Sequence, residues 1–304
     1  HPSNGVMRTF WYAQRLVSGA TNASITPQLA VDAGAIAVVD GQHGIGQQVA
    51  GFATEQAISR ARQHGVGMVS VRHSGHFGTA MYFTRQIADN GCIGFIATNA
   101  SLAMAPWGGK EKLIGTNPWS IGAPAGKYAP MLLDIANTAV ARGKLHVAAS
   151  RGEAIAPGWA VDSNGNPTTN PIEGIAGNIL PMAGHKGYGI SVMMDVLSGV
   201  LGGSGFANDV VGPYEPEGSS GVHHMIMALN INAFRSMDDF LHDMETYIEK
   251  IKATPCAAGH NEIYYPGEPE AIAEAKHLQQ GITLPDSTVQ ELNTDALKLG
   301  VATL

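Results

Sequence analysis

The stretch Val71-Arg72-His73-Ser74-Gly75-His76-Phe77-Gly78 decides how the chain reads. A mostly apolar run over 66–71 leads into it, and a helical pattern begins at Thr79. Short apolar runs bounded by turn residues read as buried strands. The spacing therefore predicts strand, Gly-rich turn and helix start in succession. Such a turn holds a titratable side chain while leaving it exposed. Imidazole is the side chain whose unperturbed pKa lies near neutral pH, so His76 is the candidate acid/base. The plainer alternative is that His73 and His76 are turn residues satisfied by backbone partners.

Outward from this turn, helices are expected over 47–64, stopped by Gly65, and over 79–90, stopped by Gly91. Strands are expected over 35–39, before Asp40-Gly41, and over 92–98. Toward the N-terminus, Val6, Phe10, Tyr12, Leu16 and Val17 mark one face of a helix over 6–17. Ser3 or Asn4 would cap it, and Arg8 and Tyr12, four apart, share a face. After 98 comes a long Gly/Pro loop over 99–118, containing Ala105-Pro106-Trp107-Gly108-Gly109 and Gly115-Thr116-Asn117-Pro118. A loop of that length inside a compact domain is usually functional. Strands follow over 119–123 and 131–135, a helix over 137–150, a strand over 158–162 and a helix over 187–201. A strand over 222–231 and an amphipathic helix over 236–253 come next. A short strand over 263–265 and helices over 270–280 and 289–299 close the chain. Strands mixed with helices, without a repeat, indicate an α/β or α+β enzyme fold.

Composition narrows the function classes. The 304 residues are 44% hydrophobic and 14% charged, enough for one large core or two smaller ones. Abundant Gly (38) with few aromatics (7%) argues against a coiled coil or a disordered chain. A net charge of −7 with no Lys/Arg run argues against a nucleic-acid partner. Cys92 and Cys256 do not make a disulfide framework, so a reducing cytoplasm is expected. No uncharged apolar segment reaches the ~18 residues of a membrane span, since the longest candidate, over 190–201, contains Asp195. The chain opens on His1 in polar turn chemistry rather than a signal peptide, and is expected to begin inside a longer protein.

Several motifs bear on chemistry. Gly44-Ile45-Gly46 sits between a strand and a helix, but Val49 stands where a dinucleotide fingerprint needs a small residue. Its acidic residue, Asp40, precedes the glycines, so the reading is a tight turn. Gly184-His185-Lys186-Gly187-Tyr188-Gly189 opens a helix, whose free N–H groups suit an anion such as a nucleotide phosphate. An exposed lysine in a turn explains it equally well. Asp134 ends a strand, where a carboxylate reaches ribose hydroxyls or, the simpler reading, caps the next helix through the 137–138 amides. Arg142 and Lys144 would pin a substrate carboxylate or be solvated. The adjacent His223 and His224 point to opposite faces of a strand, and no His/Asp/Glu cluster has zinc spacing, so no metal is expected. No Gly-x-Ser-x-Gly elbow is present, against an α/β-hydrolase.

Taken together, the stretches 3–8, 72–78, 105–109, 115–118, 134–144, 159–167, 184–189 and 265–268 resemble, in order, the malate/L-lactate dehydrogenase family of the non-Rossmann type. The resemblance implies a mixed α/β fold with a largely antiparallel sheet flanked by helices, L-sulfolactate dehydrogenase-like. It implies a helical, substrate-side part over 1–40 and 236–304, and a cofactor-binding sheet domain over 41–235. Members begin a few dozen residues earlier, with helices that precede this chain's first residue. The implied activity is hydride transfer between NAD or NADP and a small 2-hydroxy or 2-oxo acid of malate, lactate or ureidoglycolate type. Reduction of a cyclic imino acid is the alternative. A cytoplasmic homodimer with the cofactor near the subunit interface is also implied. By resemblance, His76 is the proton donor/acceptor and Lys144 borders it. Ser3, Asn4, Arg8, Tyr12, Thr116 and Asn117 lie near the substrate. Ala100, Asp134, Ile135, Ala136, Lys186, Gly267, Glu268 and Pro269 contact the cofactor. Where the family usually reads Ser-His-Gly, this chain has Ser3-Asn4-Gly5. Asn cannot exchange a proton near pH 7, so His76 is expected to carry the proton alone, or the chain is a weakened NAD(P)-binding relative.

Overall fold

The computed structural model describes residues 5–304. A 3-10 turn, Val6–Arg8, leads into α1 (Thr9–Val17). The strands β1 (Gln28–Ala33) and β2 (Ile36–Asp40) form a hairpin, followed by α2 (Gly46–His64), β3 (Val66–Ser74), α3 (Met81–Asp89) and β4 (Cys92–Thr98). A small hairpin, β5 (Leu102–Met104) and β6 (Ile114–Gly115), precedes β7 (Trp119–Ala123) and β8 (Met131–Ile135). Next come α4 (Arg142–Arg151), β9 (Ala160–Val161), β10 (Pro167–Thr168), α5 (Pro171–Ala176) and β11 (Asn178–Ile179). Then α6 (His185–Asp195) continues as a π-helical turn, Val196–Val200, before β12 (Val222–Asn230). The chain ends in α7 (Met237–Lys252), α8 (Glu268–Gln280) and α9 (Asp286–Leu299).

The main sheet has the order β1-β2-β3-β12-β4-β7-β8. Its β2–β3 pair is parallel and the other pairs are antiparallel. Parallel neighbours need a crossover, and α2 supplies it. Val39, Val69 and Val71 of the strands meet Val49, Ala53 and Ala57 of α2 and Phe83 and Ile87 of α3 in one buried core. The alanines let α2 lie close. A Cβ on Gly67 of β3 would come 2.0 Å from the carbonyl oxygen of Ala57, so only glycine fits there. A smaller core joins Val140, Leu145 and Ala148 to Ile155, Ala160 and Ile179. Among the described residues no helix is long and apolar enough to cross a membrane.

Several expectations are corrected. Residues 28–40, assigned above to the helical part, are strands of the main sheet, because Ile36–Asp40 pairs with β3. The helix expected from 137 starts at Arg142. Residues 138–139 instead pair with 180–181, Ala139 N–H donating to Leu180 at 2.8 Å. The 99–118 loop contains the β5–β6 hairpin. The strand expected over 263–265 is irregular: Tyr265 is buried, and its hydroxyl donates to the Ala129 carbonyl at 3.1 Å. No assigned strand covers it.

Candidate active site

His76 sits two residues past β3, between a buried glycine and a core anchor. Gly75 is buried, and Phe77, 6% exposed, belongs to the main core. The first residue of α2 abuts this turn: a Cβ on Gly46 would lie 2.3 Å from the Gly75 carbonyl oxygen and 2.5 Å from that of His76. The Gly44-Ile45-Gly46 motif therefore lets a helix terminus approach the His76 backbone.

The His76 ring meets α1. Its Nδ1 lies 2.6 Å from the Tyr12 hydroxyl, and the Gly78 N–H donates to the same nitrogen at 3.3 Å. A hydroxyl both donates and accepts, so Tyr12 serves either tautomer. Nε2 makes no hydrogen bond among the described residues. Burial, and then the charge of Arg8, push the His76 pKa down to about 3. The ring is thus neutral at pH 7. Burial also raises the Tyr12 pKa, and Gln47 of α2 is near enough to that hydroxyl to act on its titration. Arg8, one turn before Tyr12, donates from a guanidinium nitrogen to the Tyr214 hydroxyl at 2.6 Å and lies 5.0 Å from that ring's centre. The result is a cation, a tyrosine and an imidazole side by side. Ser3 and Asn4 lie outside the described residues.

The other histidines take structural places. His73, in the left-handed region at φ 51°, bonds Asp40 at 3.0 Å, and Asp40 also pairs with Arg72 at 3.1 Å. His224 is fully buried, with Nδ1 2.9 Å from the Thr98 hydroxyl and Nε2 2.8 Å from that of Ser74. Burial pushes its pKa down to about 3. His223 is likewise buried, packs against Gly202 on the other side of the strand, and has its pKa pushed down to about 4 by burial.

On the far side of β8, several residues expected to bind ligands are tied to the protein. Asn117 is fully buried: its Oδ1 accepts from the Ala100 N–H at 2.9 Å and its Nδ2 donates to the Ser191 carbonyl at 2.9 Å. Its amide shapes the Ala100 turn rather than facing a substrate. The Thr116 carbonyl accepts the Asn137 N–H at 3.0 Å. Asp134 does cap a helix, but α3 rather than the segment after 136. Its Oδ2 accepts from the Met81 N–H at 2.9 Å and the Thr79 hydroxyl at 2.5 Å. Ile135 and Ala136 are half-buried beside it. Glu268 accepts from Lys252 at 2.6 Å and from the Tyr265 N–H at 3.2 Å. Gly267, at φ 91°, packs so close to β8 that a Cβ would lie 2.8 Å from the Leu132 nitrogen, while Pro269 is exposed in the first turn of α8. Lys144 is exposed on α4, its ammonium 5.9 Å from the centre of the Trp159 ring, which packs against the smaller core.

Lys186 is exposed in the first turn of α6. At that terminus Gly184 lies under the Trp107 ring, and Gly187 is packed on Met182, its N–H donating to the Met182 carbonyl at 3.1 Å. The His185 and Lys186 N–H groups make no hydrogen bond among the described residues, and with the lysine beside them they fit a dinucleotide's phosphate. Sequence reading missed Gln47, Tyr214 and Thr79. Tyr214 lies 206 residues from Arg8, and no local spacing signals that pairing.

The chain has close relatives of known class. It is 36% identical over 307 residues to the malate dehydrogenase of Pyrococcus abyssi, covering 98% of this chain and 84% of that protein. It is 36% identical over 296 residues to the ureidoglycolate dehydrogenase (NAD(+)) of Escherichia coli, covering 97% and 84%. Its fold superposes on sulfolactate dehydrogenase from Methanocaldococcus jannaschii with a TM-score of 0.92 at 35% identity, covering 98% of this chain and 86% of that one. Fold and site thus define an oxidoreductase of the dehydrogenase class. The chain belongs to the malate/L-lactate dehydrogenase family, whose pattern matches residues 1–293.

Proposed function

We propose that this protein interconverts a small 2-hydroxy acid and the corresponding 2-oxo acid with NAD or NADP, His76 moving the proton and Arg8 holding the carboxylate. The observation that carries this reading is the Tyr12–His76 bond at 2.6 Å beside Arg8, with Nε2 left for a substrate oxygen. When bound, the nicotinamide cofactor accepts or supplies the hydride at the substrate's C2. In the oxidative direction, neutral His76 takes the hydroxyl proton on Nε2 as its Nδ1–H tautomer, in which Nδ1–H donates to the Tyr12 oxygen and the Gly78 N–H no longer bonds that nitrogen. In the reductive direction, the imidazolium returns that proton to the carbonyl oxygen. Arg8 lowers the His76 pKa in the free protein. A carboxylate paired with Arg8 screens that charge, the smaller of the two causes, while burial, the larger, continues to hold the His76 pKa down.

Lys186 and the α6 terminus would hold the dinucleotide's phosphates. Asn117 supports this side by fixing the Ala100 turn. A homodimer is supported by Met193, Val196, Val200 and Leu201, exposed apolar side chains at near-helical spacing along α6 and its π-helical turn. A cytoplasmic location is supported by two free cysteines, Cys92 buried and Cys256 exposed.

Fluorescence titration with NADH and NADPH, followed by turnover of pyruvate, oxaloacetate, ureidoglycolate and a cyclic imino acid, tests the reading. Turnover of a 2-oxo or 2-hydroxy acid supports it. Turnover of the imine alone favours imine reduction, and cofactor binding without any turnover identifies a non-catalytic relative.

A further inference from the structure

Residues 214–220 run as a strap across α1. Arg15, only 3% exposed, donates to the Glu215 carbonyl, to the Gly218 carbonyl at 2.8 Å and to the Ser220 hydroxyl at 2.9 Å. Ser18 donates to the Pro216 carbonyl at 2.5 Å. A buried guanidinium that spends its donors on carbonyls fixes a loop's path. At the head of this strap stands Tyr214. Its ring meets Trp11 edge-on at 5.5 Å, and its hydroxyl accepts from Arg8 at 2.6 Å. Tyr214 is also near enough to Tyr12 to act on that hydroxyl's titration.

Resting on the function proposed above, we infer that Tyr214 is a substrate-positioning residue: its O–H donates to the same carboxylate that Arg8 binds. The chemistry follows from the donor count. As acceptor from Arg8, the Tyr214 oxygen still carries one proton to give. Beside a guanidinium the acceptor that fits is an anion, and a carboxylate has lone pairs for both groups. Arg8 and Tyr214 then hold the acid end, while His76 addresses the oxygen on C2. The strap joins loop order to substrate recognition, because Arg15 and Ser18 set where the hydroxyl stands.

The test is Tyr214→Phe, which keeps the ring against Trp11 and Arg8 and deletes only the hydroxyl. Two quantities are read: affinity for oxamate, a non-reacting carboxylate analogue, in the complex with NADH, and the KM–kcat split on the best 2-oxo acid. The expected result is a loss of roughly tenfold or more in oxamate affinity and a matching rise in KM, the order set by a hydrogen bond to a charged group. NADH affinity, Tm and the pH profile of kcat stay at parent values. Unchanged oxamate affinity overturns the assignment. So does a loss shared equally by NADH affinity and Tm, which marks a merely structural strap, and so does a parent protein that binds no carboxylate analogue. A parent that binds oxamate but reduces no 2-oxo acid overturns the activity and leaves the Tyr214 comparison standing.

Discussion

His76 and His224 occupy the same end of the sheet, one in the turn after β3 and the other near the start of β12. Phe77, next to His76, packs edge-on against His224 at 4.5 Å. Burial is the first cause of both depressed pKa values, each about 3. What separates them is the use of the ring nitrogens. His224 spends both, on Thr98 and Ser74. His76 spends Nδ1 on Tyr12 and keeps Nε2, with a guanidinium nearby. A depressed pKa is therefore no mark of catalysis by itself. What sets His76 apart is the Tyr12 hydroxyl on one ring nitrogen with Arg8 near enough to act on the ring's titration.

The comparison breaks most readily at its catalytic end. Replacing His76 with Gln lowers kcat/KM by about 10²–10⁴-fold, the range for losing a general acid/base, with NADH affinity by fluorescence unchanged. His224→Gln leaves kcat/KM at the parent's order. A similar loss for both variants erases the distinction.

Stability against pH sharpens the other end. His76, His223 and His224 have folded pKa values of about 3, 4 and 3, below the ordinary 6.5. Between those values and about 6.5 the unfolded chain binds more protons than the folded one, so stability falls as pH drops through that window. Each histidine contributes a slope of up to about 1.4 kcal/mol per pH unit. Urea unfolding from pH 7 to pH 5 reads it, and a flat profile contradicts the burial argument.

His224→Gln costs about 1–3 kcal/mol at pH 7, because it takes from the buried Ser74 hydroxyl its partner, while the Thr98 hydroxyl keeps the His223 carbonyl. It also removes one histidine's share of the acid slope, and the same unfolding series reports both changes. Tyr12→Phe has the smallest effect, roughly a tenfold fall in kcat, as for one hydrogen bond of about 1.4 kcal/mol. Without the Tyr12 oxygen the imidazolium loses an acceptor. The reductive rate then begins its fall with rising pH at a lower pH than in the parent. A profile that does not move shows that Tyr12 only fills space.

Much of the sheet was legible because its strands are short apolar runs between turn residues. Those at 92–98, 119–123 and 131–135 lie where the runs end. Edge strand β1 was not legible: all six of its residues are exposed, so no buried face imposes a period on Gln28–Ala33. The π-helical turn at Val196–Val200 continues α6 through Ser198-Gly199, a pair that accompanies helix irregularities but does not by itself distinguish a π-helical turn from an ordinary helix. In the site, the turn carrying His76 and the Arg8–Tyr12 spacing were visible because both are local. Tyr214 was not, since its partner is distant in sequence. Asp134 was read as a cap on the wrong helix, because the start of α3 reaches it only through the fold.

The most direct test of the account is a crystal structure of the protein with NADH and oxamate. The account predicts Nε2 of His76 at about 2.6–3.2 Å, hydrogen-bonding distance, from the oxamate carbonyl oxygen, and the carboxylate on Arg8. A complex in which that oxygen rests on Lys144 or on solvent, with Nε2 of His76 turned away, would contradict it.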